Sequence, residues 1–214
     1  DRLELVLMGH GRSDLFILDH RVLWGAIDGD AVWQDLDSLL RERWTHPKGS
    51  TIGIDACAID SGDGGHTDLV HAFTRPRFGR RVVSIKGVPG FSRPFLQRSG
   101  SKGAPLWLVG SDAVKSQLFN RLSRGEGVRF AETLEPVFFE QLTSERRVVR
   151  YTHGKPVARF ERIKGKRAET LDATVYAWAV RQVVGQNLGK RETQLASAGK
   201  FGNSAFVSKS RWLL

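Results

Sequence analysis

The sequence predicts an α/β protein in which a sheet is flanked by helices. Three observations favour this class. The chain opens on a hairpin, with strands at 3–10 and 15–24 separated by a Gly-containing turn. Strand-like and helix-like segments alternate after the hairpin. The chain closes on a helix spanning roughly 168–184, in which Leu171 and Val175 recur at helical spacing.

The middle of the chain supplies the alternating elements. Residues 28–43 predict an amphipathic helix capped by Asp28 or Asp30, and residues 51–59 predict a buried central strand. The segment at 88–104 is rich in Gly, Pro and basic residues and predicts a mobile surface loop. The other predicted elements are a helix at 67–74, strands at 80–87, 106–109 and 127–130, a helix at 111–122 capped by Ser111, a helix at 135–142, and a hairpin with strands at 146–152 and 156–160.

Composition excludes several classes of protein. The 214 residues can bury a core, and they contain no apolar run of about 18 residues, so no membrane span is expected. Cys57 is the only cysteine, which excludes a disulfide within the chain and a Cys-rich zinc site. The histidines show no paired-ligand spacing. The N-terminus is typical of a chain entered inside a strand rather than of a signal peptide, and a reducing, cytoplasmic setting is predicted.

Basic residues predict a polyanionic partner. The formal net charge is +10, and basic side chains concentrate at 146–167 and in the loop at 88–104. A charge run is more often plain solvated surface, but this one leads directly into the acidic start of the closing helix. A phosphodiester backbone could use both features. The candidate DNA-binding residues are Lys86, Arg93, Arg98, Lys102, Arg159, Arg162, Lys164, Lys166 and Arg167.

Three acidic residues are candidates for a metal site. Glu169 and Asp172 lie one turn apart at the start of the closing helix and so share a face. Asp60 follows a buried strand, at the edge where open α/β sheets place their ligands. An all-oxygen cluster suits Mg²⁺ or Mn²⁺, and two such ions could act on a phosphodiester. The plainer interpretations are that the helical acids complement the helix dipole and that Asp60 ends its strand in an Asx turn.

Six segments in order resemble the nuclease domain of lambda-type phage terminase large subunits. Each segment alone is weak, but their order and spacing make the set more specific, and the match runs from residue 1 to about 184. The segments are Asp1-Arg2-Leu3-Glu4 with the Gly-His-Gly turn that follows it, Ala58-Ile59-Asp60-Ser61-Gly62, Ile85-Lys86-Gly87, 106–115, 140–145 and 167–177.

The resemblance implies an RNase H-like mixed sheet flanked by helices at 1–184, followed by a polar tail at 185–214. It implies an endonuclease that uses two Mg²⁺ or Mn²⁺ ions to cut concatemeric double-stranded DNA during genome packaging in the host bacterial cytoplasm. Asp60 matches the family's second catalytic acid and Asp172 its third, with Glu169 alongside. The family's first Asp would lie a few residues before Asp1, on a strand that is truncated here.

The same resemblance implies partners and leaves alternatives. A packaging ATPase domain would lie upstream, and the terminase small subunit and the portal protein would be partners. One alternative is a non-catalytic DNA-binding module that keeps the RNase H-like scaffold. Another is a different nuclease or a transposase-type enzyme on that scaffold.

Overall fold

A computed structural model describes residues 1–45, 51–100, 105–152, 154–185, 187–190 and 193. The strands are β1 (Arg2–His10), β2 (Leu15–Trp24), β3 (Arg43–Thr45), β4 (Thr51–Gly53), β5 (Cys57–Asp60), β6 (Val82–Val88), β7 (Gln97–Arg98), β8 (Leu106–Gly110), β9 (Val128–Phe130), β10 (Glu145–Thr152) and β11 (Lys155–Arg162). The α-helices are α1 (Ala31–Leu39), α2 (Thr67–Thr74), α3 (Ser111–Arg124), α4 (Pro136–Leu142) and α5 (Glu169–Val180), and 3₁₀ turns follow α2 and α5 at Arg75–Arg80 and Arg181–Val183.

The N-terminal hairpin is confirmed. β1 and β2 pair antiparallel from Arg2↔Trp24 to His10↔Leu15, with a register shift between Leu7 and Met8. Such a shift inserts one extra residue and bends the hairpin. β9 then adds parallel to β2, which gives a three-stranded sheet in the order β1-β2-β9.

The second sheet has the order β5-β6-β8-β7. β5, β6 and β8 are parallel, and β7 closes the far edge antiparallel to β8. The run Val82 to Ile85 is buried at every position, as expected for a parallel strand covered on both faces. β10 and β11 form a separate antiparallel ribbon, and β3 pairs with β4.

Helix α5 lies across both sheets. Leu171, Val175 and Ala179 are fully buried in the main core, and α5 contacts both β1 and β5. Helices α3 and α4 pack against α5 in the same core. A second, smaller core around Leu36 and Phe73 joins α1 and α2 to the sheets. The predicted mixed α/β class, with helices packed on sheets, is therefore confirmed.

The described strands do not all pair in one sheet. Within the described residues, the strands form separate three-stranded and four-stranded sheets, so the RNase H-like arrangement stays a prediction. The predicted strand at 51–59 breaks at 54–56, and its first part pairs with β3 instead. Most of the predicted tail at 185–214 lies outside the described residues. None of the helices in the described part is long and apolar enough to cross a membrane.

Two predicted helix caps and one predicted loop also differ. Asp30 lies at the N-cap of α1 but makes no side-chain capping bond, and Gly110 rather than Ser111 precedes α3. The Ser111 hydroxyl donates instead to the Val88 carbonyl at 3.2 Å, because β6 ends beside it. The 88–104 loop contains β7, and Leu96 is buried in the core, which anchors the loop to the sheet.

Asp37 on α1 joins this helix to the 3₁₀ turn after α2. Its Oδ1 accepts from Arg77 and Arg80, both at 2.8 Å, and its Oδ2 accepts from Arg41 at 2.7 Å. Hydrogen bonding to Arg77 is the main cause that holds the pKa of Asp37 well below its usual value. The pairing therefore stabilises the fold only while Asp37 is ionised.

We predict that Asp37→Asn lowers the free energy of unfolding at pH 7 by about 1 kcal/mol, a value already reduced for solvent screening. The folded pKa is depressed, so the stabilisation is fully present above the unfolded pKa of about 4 and is lost progressively as pH falls from there through the lower folded pKa. Urea unfolding of the variant and of the unchanged chain, at pH 7 and at pH 3, measures the loss in free energy of unfolding at each pH. The exposed Asp35→Asn on the same helix is the control, and an equal loss in both variants would contradict the prediction.

Candidate functional site

Asp60 is the last residue of β5 and lines a cleft between the two sheets. The Gly62 backbone N–H donates to Asp60 Oδ1 at 2.8 Å, which is the Asx turn of the plainer interpretation. The Tyr176 hydroxyl donates to Oδ2 at 3.1 Å from the opposite side. Asp60 therefore ends its strand and is also fixed against α5.

The surroundings of Asp60 change its titration. Burial among neighbouring atoms raises the pKa of Asp60, although the residue keeps one exposed face. Hydrogen bonds from Gly62 and Tyr176 act against this rise, the Asp172 charge adds to it, and the Lys86 charge again opposes it. Asp172 and Lys86 thus lie within electrostatic reach of Asp60. A cation held by Asp60 would be released as pH falls, because protonation competes with it.

Tyr176 links the two candidate carboxylates. It lies four residues after Asp172, on the same face of α5, and burial together with the charges of Asp60 and Asp172 raises the pKa of its hydroxyl. The hydroxyl therefore stays protonated and donates. Gly87 leaves the space for it, because a Cβ on Gly87 would lie 2.8 Å from the Tyr176 oxygen.

Asp172 is held by a buried lysine. Lys115 Nζ lies 2.9 Å from Asp172 Oδ1 and 2.9 Å from Glu145 Oε2. The Lys115 and Glu145 side chains are 8% and 9% exposed, whereas Asp172 is 33% exposed. Burial alone would lower the pKa of Lys115, but the charges of Asp172 and Glu145 outweigh it and raise that pKa. Lys115 therefore stays charged and fixes one oxygen of Asp172.

Glu169 occupies the rim of the site. Its carboxylate lies 3.2 Å from Arg167 Nη2 and 3.9 Å from Arg2 Nη2, and it is 46% exposed. Arg167 also bonds Glu4, whose carboxylate accepts from Thr170 Oγ1 at 3.1 Å. Glu169 would have to release Arg167 and Arg2 before its carboxylate could bind a cation.

The three predicted acids line one cleft, which we call the central cleft. It is bounded by β1 with residue 1, by residues 52–60, and by α5, and its volume is about 1040 Å³. Asp60, Glu169 and Asp172 all lie on its wall. Within the described residues, no group of three or more His, Cys, Asp or Glu side chains is placed to hold a metal ion. The described carboxylates therefore lie along the same cleft, but they do not supply a complete set of ligands for a metal ion.

The predicted DNA-binding residues that the structure describes lie on three parts of the fold: β6, the 88–100 segment, and the stretch from β11 to the start of α5. Lys86 is exposed on β6, next to Asp60, and Arg93 and Arg98 are exposed in the 88–100 segment. Lys102 lies outside the described residues. Two of the predicted arginines are already ion-paired, Arg159 with Glu161 and Arg167 with Glu4. Among the described residues, Arg162, Lys164 and Lys166 are exposed and have no ion-pair partner within 4.0 Å.

The β10–β11 ribbon and the 88–100 segment form one surface. The Phe91 and Phe160 rings lie 5.8 Å apart, and Arg147 lies over the Phe91 ring at 5.0 Å. Phe160 also stacks on Phe119 of α3 at 5.7 Å, which fixes the base of the ribbon. Two basic regions that are distant in sequence therefore adjoin.

Sequence reasoning missed the roles of Lys115, Tyr176 and Glu145. Lys115, Glu145 and Tyr176 all fell within the segments that carry the family resemblance, but a lone residue of any of these types has no spacing signal of its own. Glu145 is separated from Lys115 by 30 residues. Only the fold could show that Tyr176 bonds Asp60 and that Lys115 bridges Asp172 and Glu145.

We predict that Lys115→Met lowers the free energy of unfolding by about 3 kcal/mol, because it leaves the buried Glu145 carboxylate without its partner. Adding Glu145→Leu to this variant should restore most of the loss, since no unpaired buried charge remains. Urea unfolding measures both variants. Lys155→Met, an exposed lysine on β11, is the control. A double variant no more stable than Lys115→Met would contradict the prediction.

One known protein family matches most of this chain. Residues 1–194 match the model of one family, described as terminase large subunit gpA, endonuclease domain. No curated protein and no solved structure matches the chain. The matched region includes the carboxylates, Lys115, Tyr176 and the basic ribbon. The chain therefore belongs to the family of terminase large subunit gpA endonuclease domains.

Proposed function

We propose that this chain is a divalent-metal-dependent endonuclease domain that cuts concatemeric double-stranded DNA during genome packaging by a two-metal mechanism. Membership of the terminase endonuclease family supports the nuclease role and the DNA substrate. One observation carries the proposal: Asp60 and Asp172, which are 112 positions apart in the sequence, line the same cleft and interact electrostatically.

The oxygen ligands of the site supply part of the coordination that a Mg²⁺ or Mn²⁺ ion needs. Asp60 and Asp172 offer carboxylate oxygens, the ligands preferred by Mg²⁺ and Mn²⁺. Asp172 Oδ1 is bound to Lys115, and no partner of Oδ2 is found among the described residues. Glu169 could join after releasing Arg167. Two carboxylates are too few for two ions, and the family resemblance implies a further Asp upstream of Asp1.

Each residue of the site has a distinct task in this proposal. When bound, the divalent ions would polarise the scissile phosphate and lower the pKa of a bound water. Asp60 and Asp172 hold the ions, and Tyr176 orients Asp60 through its hydrogen bond. Lys115 fixes Asp172. Lys86 is close enough to neutralise phosphate charge at the cleft rim.

DNA would approach over the basic ribbon. A two-stranded ribbon fits the major groove, and unpaired cations on its surface can contact phosphates without reading sequence. Arg162, Lys164 and Lys166 lead from β11 towards α5 and the acidic cleft. This continuity supports binding in which phosphate contacts place the scissile bond near Asp60 and Asp172.

The remaining functional proposals rest on family membership. An RNase H-like arrangement of the sheets, a packaging ATPase domain upstream, and partnership with the terminase small subunit and the portal protein all follow from the resemblance. Activity in the host bacterial cytoplasm follows from the same argument. Residues 1–184 would form the nuclease domain.

A non-catalytic DNA-binding module is the second candidate function. The observation that favours it is the lack of a three-ligand metal group within the described residues. Such a module would keep the basic ribbon and would not need Asp60 or Asp172 to be ionised. The two candidates differ in their dependence on these carboxylates.

We predict that Asp60→Asn and Asp172→Asn each lower Mn²⁺-dependent nicking of plasmid DNA by about 100-fold or more, because each removes a metal ligand. The assay uses the chain extended upstream through the implied Asp, whereas residues 1–214 alone should bind the metal weakly and cut poorly. Asp63→Asn, exposed and paired with His66, is the matched control. Inactivity of the extended chain with every divalent ion, or normal cutting by Asp172→Asn, would contradict the prediction. Either result would favour the non-catalytic DNA-binding module.

We predict that Arg162→Glu and Lys164→Glu each weaken binding to duplex DNA regardless of sequence. Each loss of a phosphate contact should reduce the slope of log affinity against log salt by about one unit. Fluorescence anisotropy across a salt series measures the slope. Arg129→Glu on β9 is the control, since it makes the same charge change outside the basic ribbon. Equal effects from all three variants would show only a net-charge effect and contradict the predicted interface.

A further inference from the structure

The outer half of the β10–β11 ribbon exposes apolar side chains. The base of the ribbon is fixed where Phe160 contacts both Phe91 and Phe119. Further out, Tyr151, Val149 and Val157 are 77%, 57% and 46% exposed. Large apolar side chains that are concentrated on one exposed element mark a contact surface.

The register of the ribbon sorts its side chains into two faces. Residues directly opposite each other in an antiparallel pair share a face, as do alternate residues along one strand. Val149 pairs with Ala158, and Tyr151 pairs with Pro156. These four residues therefore lie on one face, which we call the apolar ribbon face.

The opposite face of the ribbon is charged. Arg150 lies across from Val157, and Arg159 lies across from Val148. Arg150 and Arg159 donate to Glu161 at 2.9 Å and 2.7 Å, which orients both guanidinium groups on this face. The basic residues of 145–162 are Arg146, Arg147, Arg150, Lys155, Arg159 and Arg162, and its acidic residues are Glu145 and Glu161. The ribbon is therefore apolar on one face and cationic overall.

The charge of the ribbon indicates what kind of partner covers the apolar ribbon face. A second copy of the chain would bring two cationic ribbons together, and like charges repel. An apolar protein pocket would account for the exposure of Tyr151 but not for the six basic residues. Duplex DNA accounts for both features, because phosphates border its grooves and the C5-methyl group of thymine is an apolar group in the major groove.

The dimensions of the ribbon agree with the major groove. This groove is about 12 Å wide and admits a two-stranded ribbon, whereas the minor groove is only about 6 Å wide. Val149 and Tyr151 lie two residues apart, which is roughly 6.6 Å along a strand. Neighbouring bases of one DNA strand are about 3.4 Å apart, so the two side chains span about two base steps.

We propose that the apolar ribbon face lies in the major groove of duplex DNA and contacts the C5-methyl groups of thymine. The inference rests on the proposed DNA interface and adds a base preference to it. The arginines and lysines still supply most of the affinity through phosphate contacts. Each thymine methyl group buried against Val149 or Tyr151 should strengthen binding by about fourfold.

Replacing thymine by deoxyuridine tests the inference, because it removes the methyl group and leaves the phosphates and the hydrogen-bonding groups in place. Residues 1–214 are titrated with two duplexes of one thymine-rich sequence, and one duplex carries deoxyuridine at every thymine position. Fluorescence anisotropy measures both affinities. We expect the deoxyuridine duplex to bind about tenfold more weakly, because two methyl contacts are lost.

Substitutions in the ribbon separate this contact from phosphate binding. The double variant Val149→Ser with Tyr151→Ser should bind the two duplexes equally, because it removes the apolar surface that contacts the methyl groups. Its slope of log affinity against log salt should stay unchanged, since no cation is removed and the ribbon still presents its arginines. Val157→Ser is the matched control, because it makes the same kind of change on the charged face, and it should keep the tenfold difference.

The outcomes distinguish failure of this inference from failure of the proposed function. If the unchanged chain binds neither duplex, both the DNA interface and the base contact are wrong. If it binds the two duplexes equally, with the expected salt slope, only the base contact is wrong. An equal loss of the difference in the double variant and in Val157→Ser would also overturn the contact.

Two further measurements test the other occupants of the apolar ribbon face. Self-association that the double variant abolishes would assign the face to a second copy of the chain. Binding to vesicles of an anionic phospholipid that the double variant abolishes, together with equal affinity for the two duplexes, would assign it to a lipid surface. Either result would overturn the inference.

Discussion

The burial of one face of α5 holds the described structure together. The two sheets share no paired strands within the described residues, so their relative position depends on side-chain packing. Helix α5 contacts β1 and β5, and the smaller core around Leu36 and Phe73 also reaches both sheets. Leu171 and Val175 contribute to the main core, where each buried side chain of this size stabilises by about 1.5–3 kcal/mol. The same helix carries Asp172 and Tyr176. The packing of α5 on the sheets therefore also brings Asp172 to Asp60. The geometry of the site thus depends on the packing of the core.

The charged side chains near α5 differ in how deeply they are buried. Lys115 and Glu145 lie deepest, Asp172 and Asp60 face the cleft, and the arginines and lysines of the ribbon form the outer layer. Coulomb interactions strengthen with burial because the effective dielectric constant falls. The buried pair therefore sets the position of Asp172, whereas the outer cations remain adjustable and sensitive to salt.

Local signals predicted part of this structure from the sequence. The opening hairpin, the run at 82–85 and the closing helix carry strong periodicity, and Asp60 and Asp172 were found because strand ends and first helical turns are recognisable positions. The break at 54–56 escaped prediction because an apolar run with small residues has the same pattern in one strand or in two. The contacts of Lys115 and Tyr176 escaped it because they depend on how distant elements pack. Whether the predicted acids bind metal stays a prediction.

Gly87 shows how a residue without a side chain can belong to the site. It leaves just enough room for the Tyr176 oxygen, which in turn bonds Asp60. A side chain at residue 87 would displace the Tyr176 hydroxyl and remove one of the two hydrogen bonds that hold the Asp60 carboxylate. In a survey of sequence variation, such a position would behave as though it took part in the chemistry, although it offers no reactive atom. Gly87 contributes only the space that the Tyr176 hydroxyl needs. Selection that keeps Asp60 in place would therefore act on the size of residue 87.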